Sequence, residues 1–312
     1  MDHKARGMLW AAFAADALAL GAHWIYDPAV IRRRFGRVEH YLAPAPDSYH
    51  SGKVAGDFTH YGDQMLVLLE SLAETGGCFH LSDFAARWRR LFTDYRGYVD
   101  KATKAALQRF AEGHGPETSG ASSTDLAGAG RAAPVLYAHR NDPQGCLEAV
   151  RAQTAMTHNH PTVVEAAAYF ARVTLTVLSG KHPADALETV LQEMSLQEPL
   201  VSWVRHGLES ASMETEAAVL DFGQSCAVDG AFPSVVHLIA RYADDLREAL
   251  IQNVMVGGDS AGRGLLVGMV LGAHHGFEAL PRQWIEALRA GEKIRRLAER
   301  IDEAHGAQKI PG

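Results

Sequence analysis

The stretch Val256-Gly257-Gly258-Asp259-Ser260-Ala261-Gly262-Arg263 runs straight into Gly264-Leu265-Leu266-Val267-Gly268-Met269-Val270-Leu271-Gly272-Ala273, and this junction limits the possible folds more than any other part of the chain. Gly257 and Gly258 let the backbone turn tightly, while Asp259 and Ser260 can cap a helix and offer oxygen to a ligand. Gly264, Gly268 and Gly272 recur at every fourth residue, so they share one helical face and leave a smooth groove. Each glycine costs roughly 1 kcal/mol of helix propensity against alanine, so three in one helix call for close packing. Membrane helix dimers use the same spacing. Here, however, the apolar run is about ten residues long and ends at His274 and His275, whereas a span needs about twenty. The expectation is a helix buried in the protein with a site anchored at its start.

At 312 residues the chain can bury a large core, and since nothing marks a linker it reads as one domain over 1–312. Lys and Arg number 30 against 37 Asp and Glu, and no basic tract exceeds Arg32-Arg33-Arg34, which argues against a nucleic-acid partner. Cys78, Cys146 and Cys226 are odd in number and lack CxxC spacing, so neither a disulfide framework nor a zinc framework is expected and a cytoplasmic location is the default. Lys4 and Arg6 precede Met8-Leu9-Trp10-Ala11-Ala12-Phe13-Ala14-Ala15 much as in a signal peptide. Asp16 interrupts that run and no clean cleavage site follows, so a buried first helix is expected instead.

Helix signals are dense and strand signals nearly absent, which makes the predicted fold an all-α globule of a dozen or more helices. Asp63 is expected to cap a helix through Met65 to Leu72, stopped at Gly76-Gly77, and Ser82 to cap the next through Trp88 to Leu91. Pro143, Pro183 and Pro281 sit where first helical positions are expected, and Thr162 with Glu165 reads as a capping box. Residues 41–59 and 113–123 have the weakest helical pattern and read as long loops.

Four polar clusters stand at helix starts or in the loops before them: Asp16 with Gly21-Ala22-His23-Trp24-Ile25-Tyr26-Asp27; Gly56 to Gln64; Thr157-His158-Asn159-His160-Pro161; and Gly257-Gly258-Asp259-Ser260. Helix N-termini carry free amides and partial positive charge, so their convergence would suit a phosphate-bearing or otherwise anionic ligand. Singly, each cluster also has a plain structural reading. His158 and His160 form a lone HxH, a weak metal signal; Asp63 is explained as a cap; Asp16, inside an apolar run, needs partners such as backbone amides.

Taken together and in order, the clusters resemble the ADP-ribosylglycohydrolase family, which includes the dinitrogenase reductase-activating glycohydrolase and the J1 crystallins. The resemblance rests on Ala15-Asp16-Ala17-Leu18, Thr157-His158-Asn159-His160-Pro161, Gly257-Gly258-Asp259, Cys226-Ala227-Val228-Asp229, the glycine-rich helix and Leu280-Pro281-Arg282-Gln283-Trp284, and so spans nearly the whole chain. It implies an all-α globule with a cleft at helix starts. In the typical enzyme, two magnesium ions position ADP-ribose and water for cleavage of an N- or O-glycosidic bond.

The departures fall on the metal positions. Aligned on Gln64-Met65-Leu66, the family's Thr-Asp-Asp-Thr lands on His60-Tyr61-Gly62-Asp63, and late in the chain Ala261 and Gly262 replace an aspartate and a threonine. Magnesium prefers carboxylate oxygen, so a family-type pair of magnesium ions is not expected. His23, His60, Tyr61, Asp63, His158, His160 and Asp259 are candidates to line the cleft. The resulting expectation is a glycosidic hydrolase in which Asp63 or Asp259 activates water, helped by His60 or His158. His23, Tyr61, His160 and Ser260, with the amides of Gly257 and Gly258, would bind a small anionic or nucleotide-sugar substrate. Asp63 and Asp259 would be the ligands if a softer metal binds. The alternatives are a non-catalytic binding protein of the same fold, or a soft-metal hydrolase for an unrelated small substrate.

Overall fold

Two helices with small residues at the same four-residue spacing meet along their lengths and form the axis of the molecule. In the computed structural model, which describes residues 2–308, the first helix, α1 (His3–Ala19), sets Gly7, Ala11 and Ala15 against Gly272, Gly268 and Gly264 of the antiparallel helix Ser260–His275. A Cβ at Gly268 would run into the carbonyl oxygen of Ala11, and one at Gly272 into that of Gly7, so the two backbones touch. This contact is the close packing that the glycine stripe requires. Both helices are buried over most of their residues, as expected for the first one and for the glycine-rich one.

The remaining elements wrap this axis. In chain order they are α2 (Pro28–Phe35), α3 (His60–Glu74), α4 (Leu81–Leu91), α5 (Lys101–Ala111), a 3-10 helix (Leu126–Ala132), α6 (Ala133–His139), α7 (Pro143–Ala155) and α8 (Pro161–Leu178). There follow α9 (Pro183–Glu193), α10 (Leu200–Glu209), α11 (Thr215–Phe222), α12 (Val228–Arg241), α13 (Leu246–Met255), the glycine-rich α14 (Ser260–His275), α15 (Arg282–Ala287) and α16 (Gly291–Gln308). Helices α8, α12, α13 and the 3-10 helix pack on α14, so the core surrounds the axis. The fold is all-α, and none of the described helices is long and apolar enough to cross a membrane.

Several helix starts differ from expectation by a residue or a few. Thr59, not Asp63, caps α3, because its Oγ1 accepts the Tyr61 amide at 3.2 Å. Helix α4 begins after His80 rather than at Ser82. Pro143 and Pro183 do open their helices, whereas Pro281 stands one residue outside α15. Thr162 and Glu165 form no capping box: His160 holds the N-cap position, and Glu165 turns to Arg151 at 3.0 Å.

The two long irregular segments are helix-free as read, and the second serves as a strap. Ala121 bridges His158, with its amide on the Thr157 carbonyl at 3.0 Å and its carbonyl accepting the Asn159 amide at 2.7 Å. Asp125 bridges Ala227, where the Leu126 amide reaches Cys226 at 2.9 Å and the Val228 amide reaches Thr124 at 2.8 Å. Residues far apart in sequence are thereby stitched side by side at the ends of α7, α8 and α12.

Candidate functional site

Three pins bring the site together. The first is Asp16, whose carboxylate accepts the Thr59 amide at 2.8 Å and the Thr59 hydroxyl at 2.6 Å, fixing the start of α3 to α1. Burial raises this carboxyl to about 7 against those two donors. Gly62 is part of the same pin: a Cβ there would lie 2.5 Å from Asp16 Oδ2, so only glycine lets the carboxylate close on the helix. The partners expected for a buried aspartate are therefore found, and they give Asp16 an architectural role.

The second pin is the turn before α14. Gly257 and Gly258 have φ of 72° and 66°, and the Gly258 amide and carbonyl pair with Ile25 and Trp24 at 2.8 and 2.9 Å. Trp24 itself is left-handed at φ 64°, a costly conformation for an aromatic residue. It carries the His23 ring against α14, where Nδ1 accepts the Ala261 amide at 3.3 Å and Nε2 lies 3.4 Å from Asp259 Oδ1. The third pin is the 113–125 strap, which sets Asp125 and His158. Gly128 leaves room for the latter, since a Cβ there would lie 2.5 Å from His158 Cγ.

These pins gather His23, His60, Tyr61, His158 and Asp259 into one buried cluster. His60 Nδ1 meets His50 Nε2 at 3.2 Å, and its Nε2 faces Asp100 Oδ2 at 3.7 Å. The Tyr61 ring lies 3.9 Å from the His60 ring and 5.9 Å from that of His23. His158 Nδ1 is held by Thr157 Oγ1 at 2.8 Å, and its ring acts on Asp100. Over this floor, Trp24, Tyr49 and Tyr98 form a triangle of edge-to-face contacts with centroids 4.9 to 5.3 Å apart. Beneath it, none of His23, His50, His60, Tyr61, His158 and Asp259 is more than 6 % exposed.

Burial sets the protonation states. It pushes His23 well below the usual imidazole value, His50 to about 3, and His60 and His158 to about 4, so the rings are neutral at pH 7. Asp100 is also driven up by burial, but His60, His158 and the two donors of Thr103 outweigh this and keep it ionised. Burial, opposed by Arg263, leaves Asp259 at about 6. Asp125 rises well above the carboxylate range, first through burial and then through the charge of Asp259. Six atoms of the cluster are buried without a hydrogen-bond partner: Nε2 of His23, His60 and His158, the Tyr61 hydroxyl, Asp259 Oδ1 and Ser260 Oγ. His23 Nε2 and Asp259 Oδ1 face each other 3.4 Å apart; native proteins rarely leave groups like the rest unmet.

Two expectations are corrected by this geometry. Asp63 is committed elsewhere, holding Lys53 Nζ at 2.5 Å and the Tyr95 hydroxyl at 2.6 Å, so its carboxylate is not free to activate water. The Gly257 amide donates to Val254 at 3.0 Å and the Gly258 amide to Ile25 at 2.8 Å, so neither can cradle an anion. His160 stands half-buried at the start of α8, with its Nδ1 buried and without a hydrogen-bond partner. Conversely, Asp100, Asp125, His50 and the aromatic triangle escaped the sequence reading. Asp100 and Asp125 do carry the signal that drew attention to Asp63 and Asp259, an acid at a loop-to-helix boundary: Asp100 accepts the Thr103 amide at 2.7 Å and Asp125 the Ala127 amide at 2.8 Å.

Comparison with known proteins matches the chain as a whole. An uncharacterized protein of Archaeoglobus fulgidus is 27 % identical over 308 residues, covering 98 % of both chains. Crystallin J1A of Tripedalia cystophora is 23 % identical, covering 96 % of each. A solved structure described as an ADP-ribosylglycohydrolase-related protein complex superposes with a TM-score of 0.76 at 24 % identity, covering 97 % of this chain and 98 % of that one, and so shares the fold. The ADP-ribosylglycohydrolase family model spans residues 1–310, covering α1, the strap, the cluster and α14 together, and the chain belongs to that family.

Proposed function

We propose that the chain hydrolyses a glycosidic bond in an ADP-ribosyl or related nucleotide-sugar substrate, at the cluster built on Asp125, Asp259 and the imidazoles of His23, His60 and His158. The observation that carries this reading is the pair Asp125 and Asp259. Burial lifts Asp259 to about 6 and, joined by the charge of Asp259, lifts Asp125 well above the usual carboxylate range. Two carboxyls that act on each other in this way can divide the roles of base and acid. Asp259 takes a proton from the attacking water while Asp125 gives one to the leaving nitrogen or oxygen as the glycosidic bond breaks, so the proton count closes. The unpartnered Tyr61 hydroxyl, Ser260 Oγ and Nε2 of His60 and His158 offer hydrogen bonds to the sugar. Tyr49 is the outermost ring of the triangle over the cluster, at 67 % exposure.

A pair of magnesium ions has no part in this reading, because the residues do not fit one. The Lys53 ammonium already lies against Asp63, and His23, His50, His60 and His158 crowd the remaining carboxylates with imidazoles, which suit hard cations poorly. The test is release of ADP-ribose from arginine- and serine-linked conjugates, with magnesium and with chelator. Turnover in chelator is expected. Turnover only with magnesium overturns the metal-free mechanism, and none on any conjugate overturns the ADP-ribosyl reading.

A second reading is a binding protein without turnover, favoured by the near-complete burial of the cluster and by likeness to a protein named as a crystallin. Calorimetric binding of ADP-ribose with no turnover on any conjugate would select it.

A further inference from the structure

We propose a second site, on the surface at the far end of α14: a three-ligand site for one zinc-class divalent ion, formed by His182, Asp244 and His274. These residues come from three separate segments. His182 precedes α9, Asp244 lies between α12 and α13, and His274 is in the last turn of α14. One ligand atom from each lies within 4.8 Å of the others, and His182 Nε2 and Asp244 Oδ1 are 3.2 Å apart. Tetrahedral zinc with bonds of about 2.0 Å sets its ligands about 3.3 Å apart, so one edge is already in place. The remaining separations close by rotation of partly exposed side chains.

The surroundings hold this geometry ready. Pro183 follows His182 and restricts its backbone to the extended conformation seen, φ −62° and ψ 142°, and its ring makes no capping bond that would compete for its nitrogens. His275 Nε2 grips the Ala243 carbonyl at 2.8 Å and so ties the Asp244 loop to the end of α14. The neighbouring Asp245 is spent capping α13 through the Glu248 amide at 2.9 Å, which leaves Asp244 as the free carboxylate. The C-terminal end of α14 adds partial negative charge, opposed by the nearby Lys4 ammonium. Two imidazoles and one carboxylate select a borderline ion over magnesium, and three protein ligands leave a position open to water or a further donor. The ion would tie α9, the α12–α13 loop and α14 into one unit.

The experiment uses tag-free, chelator-treated protein titrated with zinc chloride by calorimetry, alongside Asp244→Asn and the double variant His182→Asn with His274→Asn. A His23→Asn control separates this site from the buried cluster. The expected result is one zinc per chain, bound at least about tenfold more weakly by Asp244→Asn, not bound by the double variant, and unchanged in the control. Zinc at a hundred times its Kd should raise Tm by about 4 °C for a chain of this length. X-ray absorption of the zinc-loaded wild type gives a readout that needs no variant, with two imidazoles and light-atom ligands expected. The proposal is overturned by the absence of zinc binding below 1 mM, a limit of about −4 kcal/mol. Affinity unaltered in the double variant, or loss only in the control, also overturns it.

Discussion

The seam between α1 and α14 and the cluster at the start of α14 belong to the same helix and follow opposite rules. Along the seam, Gly7, Ala11, Gly268 and Gly272 bring backbones into contact and leave no room for another atom. At the cluster, six polar atoms are buried without a partner, and four imidazoles are held neutral by burial. The seam is a solved packing problem, whereas the cluster retains unmet hydrogen-bonding capacity that folding alone does not explain. The difference separates the part of α14 that specifies the fold from the part available for chemistry.

The largest effect should come from breaking the seam. Gly268→Leu drives a side chain into the Ala11 backbone and is expected to yield no folded protein, with a cost above about 4 kcal/mol; circular dichroism and chemical denaturation of a native-like, stable variant would contradict this. At the cluster the pattern should invert. Asp259→Asn should lower kcat/KM by about 10²–10⁴-fold and abolish the fall in rate below pH 6, while stability stays constant or rises by up to about 1 kcal/mol. A large loss of stability with no selective loss of rate would make Asp259 a structural residue.

A smaller effect concerns acid. His60 and His158, with folded values of about 4, bind fewer protons than their unfolded counterparts near 6.5. Their contribution to stability is therefore complete above pH 6.5 and lost as pH falls from there through 4. Thermal melts should show this decline, and His60→Asn should flatten it by about 3 kcal/mol over the window; an unchanged slope would place the imidazole outside the buried environment described. The smallest effect is expected at Asp63. Freed of Lys53 and Tyr95 contacts by Asp63→Asn, the protein should lose about 1 kcal/mol and less than about tenfold in rate, and a loss as large as that at Asp259 would return Asp63 to the catalytic centre.

Much of the fold was legible because it is local. The glycine stripe announced a close helix contact, Gly257 and Gly258 announced a tight turn, and the order of the polar clusters pointed to His23, His60, His158 and Asp259 as candidates for one cleft. What stayed hidden depends on contacts between distant segments. Asp63 looked available until Lys53, ten residues earlier on an irregular loop, was seen to fold back on it. The amides of Gly257 and Gly258 looked free until Ile25 and Val254 were found beside them. Asp100 and Asp125 were masked by their ordinary role as caps, and the strap's bridge to Ala227 holds Asp125 where the charge of Asp259 acts on it.

The glycine stripe also limits how a protein of this design can change over evolutionary time. Adding or deleting one residue between Asp259 and Gly272 turns everything beyond it by about 100°, which takes the glycines off the Gly7–Ala11–Ala15 face. The length of this stretch is therefore effectively frozen. Innovation at the start of α14 has to proceed by exchanging side chains in place, and Ala261 and Gly262 stand where such exchanges alter chemistry without touching the seam.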